Sequence, residues 1–210
     1  MPEVTRNPLL HCCCRTSLKL AMPLFFRLRA WDVDNVPTHG GMLLVSNHES
    51  FLDPMMIGPS LPRSIYYMAR RSLYDAPVFG WLIRAVKTLP VERGGGERVL
   101  MRMALDVLSR GEGLLVFAEG TRSPDGEVKP FTAGFALLAA RAKVPIVPVG
   151  VHGGFEAWPR HRLLPRFGVT HVAFGEPLPP PGAQKGACRA TAEETRQRVL
   201  SLVEMLKQKQ

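Results

Sequence analysis

The sequence predicts an α/β fold: one domain on a single, mostly parallel mixed sheet flanked by helices. Three observations predict it. Short apolar, β-branched runs recur at 42–46, 114–117 and 145–151, and each reads as a buried strand. Segments with apolar residues every three to four positions fall between them, and strands alternating with helices argue α/β. Polar clusters stand directly after several of these strands, where open α/β sheets place their ligands. The 210 residues fit one domain with a sizeable core, and the sequence contains no internal repeat.

The first 29 residues are expected to form an amphipathic segment suited to a membrane interface, ahead of a main domain at 30–210. Arg15, Lys19, Arg27 and Arg29 interleave there with Leu18, Leu20, Met22, Leu24, Phe25, Phe26 and Leu28. Such a stretch can lie in a bilayer surface, and it can equally be a basic-rimmed helix packed on the core. No apolar run approaches the roughly 20 residues that span a bilayer. A clean signal-peptide core is also missing. Cys12, Cys13 and Cys14 are adjacent and Cys188 stands alone. That is no disulfide framework, and it suits a reducing cytosol. Adjacent residues cannot readily wrap one tetrahedral ion, so no metal site is expected.

Residues 31–41 are a Pro/Gly/Asn turn region leading into the 42–46 strand. Pro54 then opens a short helix, a place where its missing N–H loses no intrahelical bond. Residues 64–68 read as a strand, 77–86 as an apolar-faced segment of mixed helical spacing, and 88–91 as a short strand. Helix is expected from Glu97 to Arg110, stopped by Gly111. Ser123-Pro124-Asp125-Gly126 is a turn with Pro early and Gly last. Residues 134–143 are Ala/Leu-rich helix, 160–167 a basic, apolar loop, and 169–174 alternate like a half-buried strand. Thr191 with Glu194 reads as a capping box starting the last helix.

The chemistry concentrates in Asn47-His48-Glu49-Ser50-Phe51-Leu52-Asp53. His48 ends a strand and Asp53 lies in the opening turn of a helix. A carboxylate beside an imidazole can fix its tautomer and stabilise its protonated form. The same residues also fit a blander arrangement, with Asp53 capping the helix and His48 on the surface. Glu119 and Arg122 follow the 114–117 strand, and Arg93 follows the 88–91 strand. If these strands are parallel neighbours, a general base stands beside guanidinium groups, which bind phosphate bidentately. Read singly, the arginines could simply pair with Glu92 and Glu119.

Other chemistries lack their residues. Gly94-Gly95-Gly96 is not followed by the Gly-Lys-Ser/Thr of a phosphate loop. No Gly-x-Ser-x-Gly elbow occurs. The formal charge of +9 suggests a polyanionic partner, but no nucleic-acid reader motif accompanies it. An anionic membrane or a phosphorylated substrate is the better match.

These residues resemble the glycerolipid acyltransferases, the 1-acyl-glycerol-3-phosphate acyltransferase family. Asn47-His48 through Asp53 is similar to the family's N-H-x4-D motif. Pro77-Val78-Phe79-Gly80 through Pro90-Val91-Glu92-Arg93 resembles the second motif, which ends in the arginine that binds acceptor phosphate. Phe117-Ala118-Glu119-Gly120-Thr121-Arg122-Ser123 resembles the third and 144–150 the fourth. Ala118, Lys87 and Thr132 depart from the usual residues, and all three are expected to touch the acceptor region.

The resemblance implies a glycerolipid acyltransferase-like fold and acyl transfer without a cofactor. Acyl-CoA or acyl carrier protein would be the donor and lysophosphatidic acid the acceptor. His48 and Asp53 would be catalytic; Asn47, Arg93, Glu119, Gly120, Thr121 and Arg122 would bind substrate. Alternatives are the same chemistry on glycerol 3-phosphate, another lysophospholipid or a lyso-aminolipid, or an idle membrane-binding scaffold. The expected setting is cytoplasmic, peripheral on an anionic membrane.

Overall fold

The computed structural model describes residues 8–75, 80, 83, 86–91 and 96–209. Among the described residues seven strands form one sheet: β1 (Arg29–Trp31), β2 (Met42–Ser46), β3 (Ile65–Arg70), β4 (Thr88–Val91), β5 (Gly113–Phe117), β6 (Ile146–His152) and β7 (His171–Phe174). Their spatial order is β1-β7-β6-β2-β5-β3-β4. Every pairing is parallel except β6 with β7. The mixed, mostly parallel sheet expected from the sequence is therefore the one found.

β2 sits at the middle because it can be buried on both faces. All five of its residues are buried, and its side chains alternate between two cores. Leu43 and Val45 face one core, built with α3 (Glu97–Ser109) and α4 (Gly134–Ala142); α6 (Ala187–Lys207) lends it Ala192. Met42 and Leu44 face the other, built with α1 (Pro8–Phe26) and α2 (Asp53–Ser60). Burying a large apolar side chain contributes about 1.5–3 kcal/mol, so this two-sided strand is the natural anchor. From β5 the chain crosses β2 to reach β6, so the strand order reverses around β2. Ligands in such sheets collect at the carboxyl ends beside that reversal.

Three expectations need correcting. The strand at 171–174 is buried throughout rather than half-buried, because α2 and α6 both pack against it. Thr191 and Glu194 form no capping box. Gly186, at φ +88°, turns the chain into α6 before Thr191, which then lies inside the helix and accepts from the Thr195 hydroxyl through its carbonyl. Residues 29–31, assigned to the segment and turn region, form an edge strand on β7. Of 77–86, only Gly80, Ile83 and Val86 are described, and Arg93 with Glu92 lies outside the described residues.

The first helix packs on the core along one side and leaves apolar residues exposed on the other. Leu18, Met22 and Phe26 pack into the core under β2 and α2, while Leu20, Leu24 and Phe25 stay exposed. No helix among the described residues is long and apolar enough to cross a membrane.

Candidate active site

The carboxyl ends of β2, β5, β6 and β3 lie on one edge of the sheet, and the residues that follow them meet there. Asp53 pairs with His48 instead of capping the helix it opens. Its Oδ2 accepts hydrogen bonds from the backbone N–H of Glu49 (2.8 Å) and Ser50 (2.9 Å) and lies 2.7 Å from His48 Nδ1. It makes no cap to the helix it opens: the N-cap position is Leu52, without a side-chain bond. An oxygen already accepting two N–H groups also accepts from the imidazole. A carboxylate oxygen only accepts, so the Nδ1 hydrogen is directed at Asp53, and Nε2 is the ring nitrogen that Asp53 does not engage. Asp53 is fully buried, whereas the His48 side chain keeps 18 % of its surface exposed. Phe117, the last residue of β5, stacks on the imidazole face at 3.8 Å.

The flanking residues clamp this loop to the end of β6. Asn47 donates from Nδ2 to the Val151 carbonyl (3.0 Å) and accepts from the Val151 N–H (2.9 Å). Expected among the substrate contacts, Asn47 is instead buried with both ends of its amide taken up by backbone, so its work is positioning. Glu49 Oε1 accepts from the N–H groups of Gly154 (2.7 Å) and Phe155 (3.2 Å), at the start of the short helix α5 (Gly154–Ala157). Burial, then the charges of Asp53 and Glu156, push the Glu49 carboxyl well up from the ordinary range. Ser50 donates through its hydroxyl to the Trp158 carbonyl (2.8 Å) and accepts from Leu52 N–H.

The third cluster joins from β5. Glu119 Oε1 accepts from the His48 N–H (3.1 Å), and Ser123 N–H donates to the His48 carbonyl (2.7 Å), so both peptide groups of His48 are held. Burial raises the Glu119 carboxyl to about 7, against the lowering by the His48 and Lys129 backbone N–H groups. Gly120, exposed at φ +73°, makes the turn that carries the chain from Glu119 to Arg122. Thr121 is exposed there. Among the described residues Arg122 forms no ion pair with Glu119. Its guanidinium lies 3.5 Å over the Phe51 ring, and its Nη1 is buried with no hydrogen-bond partner among the described residues. Burial, then the positive charges of Arg70 and Arg160, lower its pKa. Arg122 thus stands in the positive field of both Arg70 and Arg160, a field that favours anions.

Sequence reasoning missed Glu49, Arg70, Phe117 and Gly154. Arg70 carried a signal, since it ends β3 as the recognised clusters end β2 and β5. Glu49 and Gly154 carried none, because their contact joins residues more than a hundred positions apart. The departures at 87, 118 and 132 also sort themselves. Lys87, expected near the acceptor, sits at the amino end of β4 and pairs with Glu112 at 3.0 Å, on the far edge of the sheet. Ala118 is buried in the core, and its carbonyl accepts from both the N–H and the hydroxyl of Thr132. No group of three His, Cys, Asp or Glu side chains among the described residues is placed to hold a metal.

Comparison with known proteins gives a consistent result. Residues 27–152 match the family model described as Acyltransferase. A 1-acyl-sn-glycerol-3-phosphate acyltransferase of Bacillus subtilis is 26% identical over 166 residues, covering 79% of this chain and 80% of that protein. A chloroplastic one of Brassica napus is 29% identical over 138 residues, 64% of this chain; the match spans only 40% of the plant protein. The crystal structure of the 1-acyl-sn-glycerophosphate acyltransferase PlsC of Thermotoga maritima superposes with a TM-score of 0.77 at 25% identity, covering 97% of this chain and 83% of that one.

Proposed function

This chain belongs to the acyltransferase family, and we propose that it moves a fatty acyl group from acyl-CoA or acyl carrier protein to 1-acyl-glycerol 3-phosphate, giving phosphatidic acid for phospholipid biosynthesis. The observation that carries the reading is the His48–Asp53 pair, with the Arg122 guanidinium lying over Phe51 of the same loop and within electrostatic reach of Asp53. The acceptor hydroxyl gives its proton to Nε2 as its oxygen attacks the thioester carbonyl. The C–S bond of the tetrahedral intermediate then breaks, and the leaving thiolate takes the proton back from His48. Asp53 stabilises the imidazolium between the two steps. No acyl-enzyme forms, so no nucleophilic side chain is needed. Holding both reactants in place can supply several kcal/mol of the barrier reduction.

In this reading Arg122 binds the acceptor phosphate with Arg93, and Arg70 and Arg160 add to the positive field. Glu119, Gly120 and Thr121 shape the acceptor side of the cleft. The enzyme works in the cytoplasm, peripheral on a membrane that holds its acceptor, and needs no cofactor beyond the acyl donor. The test is purified protein with labelled acyl-CoA and acyl carrier protein against a panel of acceptors: lysophosphatidic acid, glycerol 3-phosphate, neutral lysophospholipids and a lyso-aminolipid. The phosphate-bearing lysolipid is expected to be preferred, and Arg93→Ala is expected to raise its KM at least about tenfold with little change for the donor. Equal use of neutral acceptors, or an unchanged acceptor KM, rejects the phosphate assignment.

A further inference from the structure

Outside the site, two distant segments build one exposed apolar surface. Leu163, Leu164 and Phe167 are 87%, 71% and 79% exposed; Leu20 and Leu24 on α1 are 71% and 74% exposed. Phe25 stacks on Phe167 at 5.7 Å, joining the two segments into one face. The strand edge fixes this junction, since Thr170 N–H donates to the Phe26 carbonyl and Arg29 N–H to the Thr170 carbonyl.

The loop does not expose these residues for want of structure. Arg166 N–H donates to the Ala157 carbonyl, Trp158 Nε1 to the Arg162 carbonyl, and Arg162 to the Glu156 carbonyl. Its fold is held from inside while its apolar side chains point out. Soluble proteins rarely leave such a contiguous patch uncovered without a partner.

The charge around the patch selects the partner. Arg27, Arg29, Arg160, His161 and Arg166 are exposed within or next to it. No acidic residue occurs between Glu3 and Asp32, nor between Glu156 and Glu176. Two copies of this face would bring like charges together. An anionic bilayer instead offers hydrocarbon for the leucines and phenylalanines and headgroup charge for the arginines.

We propose that the 160–169 loop is a second membrane contact, which docks together with the exposed side of α1 on an anionic lipid surface. This deepens the reading of the site as one that takes a lipid acceptor. Trp158, where the loop starts, packs 5.2 Å from Phe51, and the charge of Arg160 reaches Arg122. Docking through the loop therefore sets the acceptor cleft at the lipid surface, and a lysolipid reaches His48 without crossing water.

The test measures co-sedimentation with phosphatidylcholine vesicles, with and without phosphatidylglycerol, for the wild type, Leu163→Glu/Leu164→Glu/Phe167→Glu and Leu20→Glu/Leu24→Glu. Turnover of a short-chain, water-soluble lysophosphatidic acid is followed in parallel. Wild type is expected to bind the anionic vesicles in a salt-sensitive way. The loop variant should lose at least about tenfold in partitioning while keeping its circular dichroism and its short-chain turnover. Undiminished binding by the loop variant, or none by the wild type, overturns the proposal. So does a change confined to self-association. If the wild type binds vesicles but turns over no acceptor, the proposed activity fails while the surface stands.

Discussion

The 47–53 loop and the 160–167 loop break the usual distribution of side chains in opposite directions. The first buries polar groups: Asn47, Glu49, Ser50 and Asp53 are all 2 % exposed or less. The second exposes apolar ones. Both are fastened to the same stretch, 151–158. Val151, Gly154, Phe155 and Trp158 hold the first; Glu156, Ala157 and Trp158 hold the second. Buried polar groups persist only where they are hydrogen-bonded, and the result is one fixed geometry. Exposed apolar groups on a held loop persist for something that will cover them. Each departure marks function more surely than ordinary core or surface does.

Breaking the polar loop at its centre gives the largest expected effect. His48→Ala removes the proposed proton acceptor and should lower kcat by about three orders of magnitude or more, with circular dichroism unchanged. Asp53→Asn should be nearly as severe, because an amide cannot stabilise the imidazolium and its N–H₂ can hold the wrong tautomer. The two residues act as one unit, so the double variant should lose little beyond the worse single one. Multiplicative losses, or a folded His48→Ala protein with near-wild-type turnover, reject the pairing. Asp53 also ties two backbone N–H groups, so its substitution should lower Tm where that of His48 does not.

What the sequence made legible follows the same division. β2, α2, β5, α3 and β6 were readable because apolar runs of the right length and period dictate them, and the His48–Asp53 pair was readable because both partners lie within six consecutive residues. The 160–167 loop was recognisably basic and apolar from composition alone. What was not legible depends on segments far apart in the chain. Glu49 needs Gly154, His48 needs Phe117 on its ring face, and Phe167 needs Phe25. The burial of β7 needs two helices to cover it. The start of α6 was misplaced because a capping pattern at Thr191 competed with Gly186, whose positive φ made the actual turn.

Gly154 tests whether the clamp, rather than the pair alone, sets the geometry. A Cβ built there would lie 2.9 Å from Ser50 Cβ, 3.0 Å from Asp53 Oδ1 and 3.1 Å from Glu49 Oε1. Something in the loop must give. Gly154→Ala should lower kcat by on the order of tenfold, since displacements well under 1 Å at a catalytic pair are costly. KM should change little. Gly134→Ala is the matched control: it also begins a helix, and a Cβ there meets nothing within 4 Å. Equal kinetics for the two variants would show that the loop tolerates the shift and that the clamp is not what fixes His48.

Glu119 gives the smallest expected effect, because its carboxyl is only partly shielded. Its pKa in the folded protein is raised from 4.5 to about 7, with burial as the leading cause. Below pH 4.5 the group is protonated folded or unfolded and contributes no slope. Between 4.5 and about 7 the unfolded chain has released this proton while the folded protein keeps it. Folding then takes up a proton, so stability falls as pH rises through that window and levels off above it. Glu119→Gln removes the titration yet keeps an oxygen for the His48 N–H. The Tm of wild type relative to this variant should therefore decline from pH 4.5 to 7, by a degree or two after allowance for solvent screening. Glu49 is shifted in the same direction, but it is present in both proteins and cancels from the difference. A flat difference curve, or one that rises with pH, would show that Glu119 is ionised in the fold and that its bond to His48 N–H outweighs its burial.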